Sequence, residues 1–278
     1  MKTKSIFFKI VPLMLALMPL SALSQTMRGD FDMNGKVNIS DVTAMVNYLL
    51  TDEPASTSAI EHDTIMVKGV PLVMVKVDGG TYTRQLGKLW SVDSFSIGQT
   101  EVTIGLWYAV MGTTPMPWMT QELQNPIEDI SWNDCQVFID SLNALTGMSF
   151  RLPTEEEWEY AACGGRHTMA YTYAGSNDIN EVAWYRGTVP EEEPVGGAYT
   201  YFTLSQAVAQ LKPNELGLYD MSGNVAELCQ NMRGNNFDLN CSLRGGSTLD
   251  LAEKCKVTYN TFVSKDKSGM NIGFRLAL

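Results

Sequence analysis

The sequence predicts a domain that combines short β-strands with a few α-helices and long ordered loops. Apolar and polar residues alternate from Thr64 to the Gly79-Gly80 pair, as in strands joined by turns. The segments after Ser131 and Thr154 begin with helix caps and continue with apolar residues at helical spacing. The remainder is rich in glycine, asparagine and aromatic residues without a clean period. We therefore expect short strands and ordered loops there.

The size and charge of the chain limit its function. Its 278 residues, 45% of them hydrophobic, suffice for one large domain with a sizeable core and a small module. The net charge is −11, and residues 1–24 hold three lysines and no acid, so without them it becomes −14. Because an acidic surface repels phosphate backbones, nucleic acid is not expected as a partner.

The start of the chain has the composition of a secretory signal peptide. Three lysines precede an apolar stretch from Val11 to Leu20, and Ala22-Leu23-Ser24 offers small residues for cleavage before Gln25. The apolar stretch is too short to span a bilayer, and no later segment is long and apolar enough. We predict that residues 1–24 are removed and that the protein is secreted, periplasmic or extracellular, with no membrane span.

Residues 25–50 contain a candidate calcium loop followed by an apolar helix. Ca²⁺ needs several oxygen ligands around one point, and a loop of about twelve residues supplies them around a turn glycine, here Gly35. The predicted ligand positions are Asp30, Asp32, Asn34, Lys36, Asn38 and Asp41. The alternative is a turn rich in Asp, Asn and Gly before a helix.

This front module resembles a dockerin type I repeat, through the final Asp41 of the loop and the apolar helix after it. Dockerins carry two such repeats and bind cohesins, whereas one repeat is visible here, which weakens the expectation of a cohesin partner. A single loop and helix cannot bury its apolar face alone. Residues 51–63 are small and polar and are predicted to be a linker to a main domain of residues 64–278.

Two helices of the main domain are predicted from their caps. Ser131 and Asp134 form a capping box, and Gly147 ends the helix. Its predicted buried stripe is Cys135, Phe138, Ile139, Leu142 and Leu145. Thr154 and Glu157 cap the next helix, with Trp158 and Ala161 facing inward. The glutamates at 155, 156, 157 and 159 suggest either acid–base chemistry or a solvated first helical turn, and we expect the solvated turn.

Five cysteines and two histidines restrict the metal chemistry that the chain can support. In an oxidising compartment up to two disulfides are expected, with at least one thiol left over. No pair of cysteines has CxxC spacing, and His62 and His167 are the two imidazoles. A zinc site or an iron site with two histidines and a carboxylate is therefore not expected.

Several motifs, in order, resemble the formylglycine-generating-enzyme family, also called the sulfatase-modifying-factor family. They are Thr100-Glu101-Val102-Thr103, Ile130-Ser131-Trp132, RLPTEEEWEYAA from Arg151, NELGLYDMSGNV from Asn214, Arg244-Gly245-Gly246-Ser247 and Gly273-Phe274-Arg275. The resemblance covers about residues 66–278. It implies an α+β fold, an elaborated relative of the C-type lectin fold with little regular secondary structure.

The resemblance also shows that one catalytic residue is missing. Active members hold a copper ion on two cysteine thiolates and oxidise a sulfatase cysteine to formylglycine with oxygen. Cys255 matches the second cysteine of the family, but Asp250 stands at the first. A carboxylate is a poor ligand for Cu(I), so copper and formylglycine generation are not expected unless Cys241 supplies the second thiolate. A disulfide of Cys255 with Cys229 or Cys241 is the pairing that we expect.

A calcium site of the family does carry over to this chain. The resemblance assigns its ligands to Asp220, Gly223, Val225 and Glu227, as two carboxylates and two backbone carbonyls. The calcium would be structural and hold loops together. Without the resemblance, a capped turn with a surface glutamate is the simpler interpretation.

Two classes of function remain after these observations. The first is a secreted, non-catalytic binding or structural module for an unknown protein or glycan. Tyr171, Tyr173, Trp184 and Tyr185 are its candidate groove residues, with core packing as their alternative role. The second is an enzyme, which generates formylglycine or performs another oxidase-type reaction. Sulfoxide synthases related to the family use metal histidines from a helical domain that this chain lacks.

Overall fold

The computed structural model describes residues 60–83, 89–117, 122–188, 205–235 and 238–278. All of them lie in one compact unit, Ala59–Leu278. The signal peptide and the calcium loop predicted at Asp30 to Asp41 lie outside the described residues. None of the described helices is long and apolar enough to cross a membrane.

The first half of the unit contains two small antiparallel sheets. Its strands are β1 (His62–Val67), β2 (Val70–Val77), β3 (Gly80–Thr83), β4 (Leu89–Val92) and β5 (Phe95–Gly98). One sheet has the order β1-β2-β5, and β3 pairs with β4. Lys68 and Gly69 both have positive φ, at 46° and 87°, which gives the tight turn that joins β1 to β2. The strands predicted from the alternating pattern are thus confirmed.

Three helices follow, and each begins at a side-chain cap. They are α1 (Ile104–Met111), α2 (Trp132–Thr146) and α3 (Glu155–Ala162). Thr103 caps α1, and the capping boxes predicted at the starts of α2 and α3 are both formed. Gly147, in the left-handed region at φ 70°, ends α2 as predicted.

A four-stranded sheet occupies the second half of the unit. Its strands are β6 (Ala226–Asn235), β7 (Asp238–Arg244), β8 (Asn260–Ser264) and β9 (Ile272–Gly273), in the order β8-β7-β6-β9. The short strand β9 runs parallel to β6, and the other neighbours are antiparallel. Long connections surround this sheet, which agrees with the loops expected from the glycine-rich composition.

The main core lies where α1 and α2 meet the C-terminal part of the chain. Trp107 stacks on Phe138 with ring centroids 5.0 Å apart, and Phe274 meets both rings edge-on. The predicted stripe of α2 is buried except at Leu145, which is 49% exposed, so that part of the prediction is wrong. Leu145 lies in the last turn of α2, beyond the reach of the core.

The C-terminal residues are built into the first half of the domain. Leu278 and Ser96 exchange two backbone hydrogen bonds, of 2.9 and 3.1 Å. Ala277 forms a bridge with both Ile97 and Arg151. Residues far apart along the chain therefore close the fold together.

Candidate pocket and buried ionic centre

A pocket of about 230 Å³ lies over the four-stranded sheet, between the loop after β7 and the turn before β9. Its lining residues are Ala226, Leu243, Arg244, Gly246, Ser247, Leu249, Asp250, Lys254, Tyr259, Thr261, Met270, Asn271 and Ile272. Leu249 and Met270 are 40% and 52% exposed, and neighbouring Leu251 is also exposed. The pocket thus combines polar walls with an aliphatic rim.

Asp250, which the motifs predict to stand at the position of the first family cysteine, lines this pocket, and both of its carboxylate oxygens accept hydrogen bonds. Its carboxylate accepts a hydrogen bond from Lys254 Nζ at 2.7 Å and another from Ser247 Oγ at 2.7 Å. Its backbone carbonyl accepts from the amide of Arg186 at 3.0 Å. The side chain therefore shapes the loop and does not present a free ligand to the pocket.

Cys255 is fully buried and is not among the pocket-lining residues. It lies behind Gly246, where an added Cβ would come within 2.9 Å of Cys255 Sγ. Desolvation, with a smaller effect from nearby Asp250, raises the pKa of the Cys255 thiol to about 12. The Cys255 thiol is therefore expected to be unreactive in the metal-free protein.

All five cysteines are free thiols in the structure, so the expected disulfide of Cys255 is not formed. Cys255 packs in a small cluster with Ile179 and Val182, whereas Cys229 and Cys241 belong to two other clusters. The sequence cannot reveal this, since it does not show which hydrophobic cluster each cysteine joins. Cys241 Sγ donates to the carbonyl of Val263 at 3.3 Å.

Glu227 forms the centre of a buried ionic network. Its Oε1 accepts from Arg275 Nη2 at 2.6 Å, and its Oε2 accepts from Arg275 Nε at 2.6 Å and from Trp158 Nε1 at 2.7 Å. Both Glu227 and Arg275 have no solvent exposure. Arg275 also donates to the carbonyls of Gly98 and Tyr219 at 3.0 and 2.9 Å. This is a bidentate pair that fixes three chain segments.

Two of the glutamates expected in a solvated turn are also buried, so that prediction is wrong for them. Glu155 is held by Asn260 at 2.7 Å and by Arg233 at 3.4 Å. Glu159 pairs with the buried Arg244, whose Nη1 donates to the carbonyl of Tyr259 at 2.9 Å. The two acids therefore anchor α3 to the sheet below the pocket, whereas Glu156 and Glu157 remain partly exposed.

The carried-over calcium ligands lie in a tight, buried turn. Asp220, Gly223 and Asn224 all have positive φ, at 56°, 83° and 60°. Asp220 accepts from the amide of Ala209 at 2.8 Å through Oδ2, while its buried Oδ1 has no hydrogen-bond partner within the described chain. Glu227, in contrast, already uses both oxygens. The donor set of this turn therefore fits a calcium at Asp220 better than at Glu227.

The four aromatic residues proposed for a groove lie elsewhere. None of them lines the pocket, and Tyr173 and Tyr185 pack against the cluster that contains Cys255. Sequence reasoning missed Tyr259, Thr261 and Asn271, which do line the pocket. They follow no motif, and only the pairing of β8 and β9 into the sheet brings them together.

Comparison with known proteins identifies the family. The model of the sulfatase-modifying factor enzyme 1-like domain matches residues 53–278. The chain belongs to this family. The family assignment inferred from the motifs is thus confirmed, and the motifs fall on the structure where this sulfatase-modifying-factor domain has its caps, its buried arginines and its pocket loop.

Relatives of this sulfatase-modifying-factor domain include both active and inactive proteins. It is 31% identical to the chaperone protein LppX of Paenibacillus barcinonensis over 56% of this chain and 70% of that protein. It is 31% identical to the inactive C-alpha-formylglycine-generating enzyme 2 of Bos taurus over 56% of this chain, and it spans about half of that protein (51%). It is 29% identical to the formylglycine-generating enzyme of Thermomonospora curvata, over 62% and 63% of the two chains.

A solved structure supports the fold. Treponema denticola variable protein 1 is 26% identical and superposes with a TM-score of 0.64, over 81% of this chain and 99% of that one. The α+β fold implied by the motifs is therefore confirmed.

Proposed function

We propose that this chain is a secreted, non-catalytic member of the sulfatase-modifying-factor family that binds a protein segment at the pocket beside Asp250. The proposal rests on the two residues predicted to stand at the positions of the family's copper-binding cysteines, Asp250 and Cys255. Asp250 is ion-paired to Lys254, and Cys255 is a buried thiol behind Gly246. The residues present do not fit a copper ion held by two thiolates, because one of the two positions holds a hard carboxylate that is already paired with Lys254.

The shape of the pocket supports binding in place of chemistry. Its volume, about 230 Å³, is below that of a typical small-molecule site and suits one side chain of a partner. The exposed Leu249 and Met270 give the rim an aliphatic surface, and polar residues line the walls below it. An aliphatic rim favours a protein segment with an apolar anchor over a glycan.

Secretion and calcium complete the proposal. The leader of residues 1–24 supports export, and the spacing from Asp30 to Asp41 supports a calcium loop ahead of the domain. The strained turn at Asp220 to Asn224 supports a second calcium with a structural role. A single dockerin-like repeat gives little support for a cohesin partner.

Selection of peptides against the mature chain tests the binding proposal. Peptides enriched by the wild-type protein are expected to carry an apolar anchor and to bind the Leu249→Asp variant at least about tenfold more weakly. Leu145→Asp is the matched control, because Leu145 is similarly exposed but lies on α2, away from the pocket. Equal binding by both variants, or no enrichment at all, would contradict the proposal.

The catalytic alternative is tested by copper titration. The relative from Thermomonospora curvata, named a formylglycine-generating enzyme, is the observation that favours it. We expect the reduced wild-type chain to bind no Cu(I) tightly in competition with a chromophoric chelator, and to leave a cysteine-containing sulfatase peptide unoxidised. Tight Cu(I) binding together with turnover of the peptide would overturn the non-catalytic proposal. An Asp250→Cys variant shows whether this one position accounts for the loss.

A further inference from the structure

Glu128 is a buried carboxylate in the loop before α2, and it has no cationic partner among the described residues. It is 3% exposed. Its Oε1 accepts a hydrogen bond from Ser205 Oγ at 2.9 Å, and its Oε2 accepts from the backbone amide of Asn271. No described lysine or arginine forms a salt bridge with it. Burying a carboxylate without a cation is costly, so Glu128 is a candidate for a role beyond stability.

The hydrogen bond from Asn271 connects Glu128 to one wall of the pocket. Asn271 lines the pocket, and its φ of 65° lies in the left-handed region that favours glycine. Its side-chain amide donates to Thr248 Oγ1, in the loop after β7. The amide of Asp129 donates to the carbonyl of Gly269 at 3.1 Å, so the same turn is held a second time. The loop at Glu128 thus fixes the turn before β9.

The charges around Glu128 do not neutralise it. Charged side chains on the surrounding elements are Glu122 and Asp129 in its own loop, Asp134 at the start of α2, Lys265, Asp266 and Lys267 in the turn, and Asp250 and Lys254 in the pocket loop. None of them bonds to Glu128. Burial raises the pKa of Glu128, with a smaller contribution from Asp129, and the hydrogen bonds from Asn271 and Ser205 oppose this rise.

We propose that the ionised carboxylate of Glu128 positions the Asn271 wall of the pocket, and that its protonation in mild acid loosens this wall and weakens binding of the protein segment. This inference rests on the proposed function and adds its regulation. A carboxylate accepts from both donors, whereas a neutral acid must donate through one of its oxygens. That oxygen would donate to Ser205 Oγ. The other would keep a neutral bond to the Asn271 amide, about half as strong as the charge-assisted one.

Hydrogen exchange of the mature chain, without any ligand, tests the positioning step. After correction for the intrinsic exchange rate, protection of the Asn271 amide is expected to fall roughly tenfold from pH 7.5 to pH 4.5. Glu128→Gln keeps the geometry, because its side-chain amide can accept from Asn271 and donate to Ser205. This variant should show the weaker protection at both pH values. The same change with pH in both proteins would overturn the proposal.

Thermal unfolding separates this role from a purely structural one. The pKa of Glu128 is raised in the folded state, so ionisation lowers stability. That loss is complete above the folded pKa and absent well below the usual value of 4.5. Glu128→Gln is therefore expected to raise the Tm at pH 7.5 and to approach the wild-type Tm in acid. A lower Tm at pH 7.5 would mean that Glu128 only stabilises the fold, and would contradict the proposal.

The affinity of a peptide selected on the wild-type protein tests the link to the pocket. Wild type is expected to bind it about fivefold more weakly at pH 4.5 than at pH 7.5, and Glu128→Gln to bind weakly at both. Ser205→Ala should move the midpoint of this change to higher pH, because the ionised carboxylate loses one donor. Asp250 and Lys254 are present in every variant, so their own effect on binding is common to all.

Glu215→Gln is the matched control for the peptide measurement. Burial also raises the pKa of Glu215, but this residue lies beside Gly164 and does not line the pocket. Its variant should keep the wild-type dependence of affinity on pH. An affinity that changes equally with pH in wild type and Glu128→Gln overturns the proposed regulation. Failure to select any peptide contradicts the proposed function, whereas hydrogen exchange and thermal unfolding decide the role of Glu128 without a peptide.

Discussion

The ionic centre around Arg275 and the pocket loop around Asp250 lie in the same domain, but their ion pairs differ in burial and in the sequence separation of the partners. In the centre, the Glu227–Arg275 pair is fully buried and joins segments distant in sequence. In the loop, Asp250 meets Lys254 four residues on, and that lysine remains half exposed. The Glu227–Arg275 pair holds distant segments of the fold together, whereas the Asp250–Lys254 pair only orders one surface loop. The scaffold can therefore stay constant while the residues of this surface loop change.

The largest contrast that we expect concerns thiol reactivity beside the pocket. Burial raises the pKa of the Cys255 thiol to about 12, so Cys255 is expected to stay protonated at pH 8 and to react far more slowly than an ordinary thiol. Iodoacetamide labelling of the native protein at pH 8, read by peptide mass spectrometry, should modify the half-buried Cys163 long before Cys255. Labelling of Cys255 before Cys163 would contradict this prediction and would indicate that Cys255 is a reactive thiol.

The next largest effect is expected in the ionic centre. Arg275→Met leaves Glu227 buried without its partner, and the free energy of unfolding should fall by about 3–5 kcal/mol. Urea denaturation measures this loss. The control Lys212→Met breaks an exposed pair with Glu181 and should cost less than about 1 kcal/mol. A similar loss of unfolding free energy in both variants would contradict the prediction that the buried ion pair matters more than the exposed one.

A smaller effect is expected where Gly246 separates the pocket loop from Cys255. Ala at this position combines a φ of 69° with a Cβ 2.8 Å from the carbonyl of Lys254, and should lower stability by about 3 kcal/mol. Gly112→Ala is the matched control, because Gly112 has a φ of 73° but open space around it, and should cost about 1 kcal/mol. Thermal unfolding of both variants checks the difference. Equal losses of stability would mean that the loop at Gly246 can move to accommodate the added Cβ.

The smallest effect is expected at the pocket ion pair. Lys254→Met removes the partner of Asp250, but the lysine is half exposed and Ser247 still donates to the carboxylate. Stability should fall by less than about 1 kcal/mol in urea denaturation. A loss above about 2 kcal/mol would show that the pocket loop is part of the scaffold after all.

Local features were predictable from the sequence, and long-range ones were not. The capping boxes at Ser131 and Thr154 were predicted correctly, since each cap and its partner are three residues apart. Glu159 was wrongly expected in solvent because its partner, Arg244, is 85 residues away. For the same reason the pocket residues Tyr259 and Asn271 could not be foreseen. The placement of Asp250 at the first cysteine position of the family rests on the motif around Gly245-Gly246 and stays a prediction.

The bonds that tie Leu278 to Ser96 and Arg275 to Gly98 have a kinetic consequence. These contacts span most of the domain, since Arg275 and Gly98 are 177 positions apart in the sequence. A nascent chain cannot complete its core, or neutralise Glu227, until this last stretch has emerged, so folding must follow synthesis and proceed slowly through long-range closure. The native core is therefore expected to form late in folding, after the local hairpins and helices.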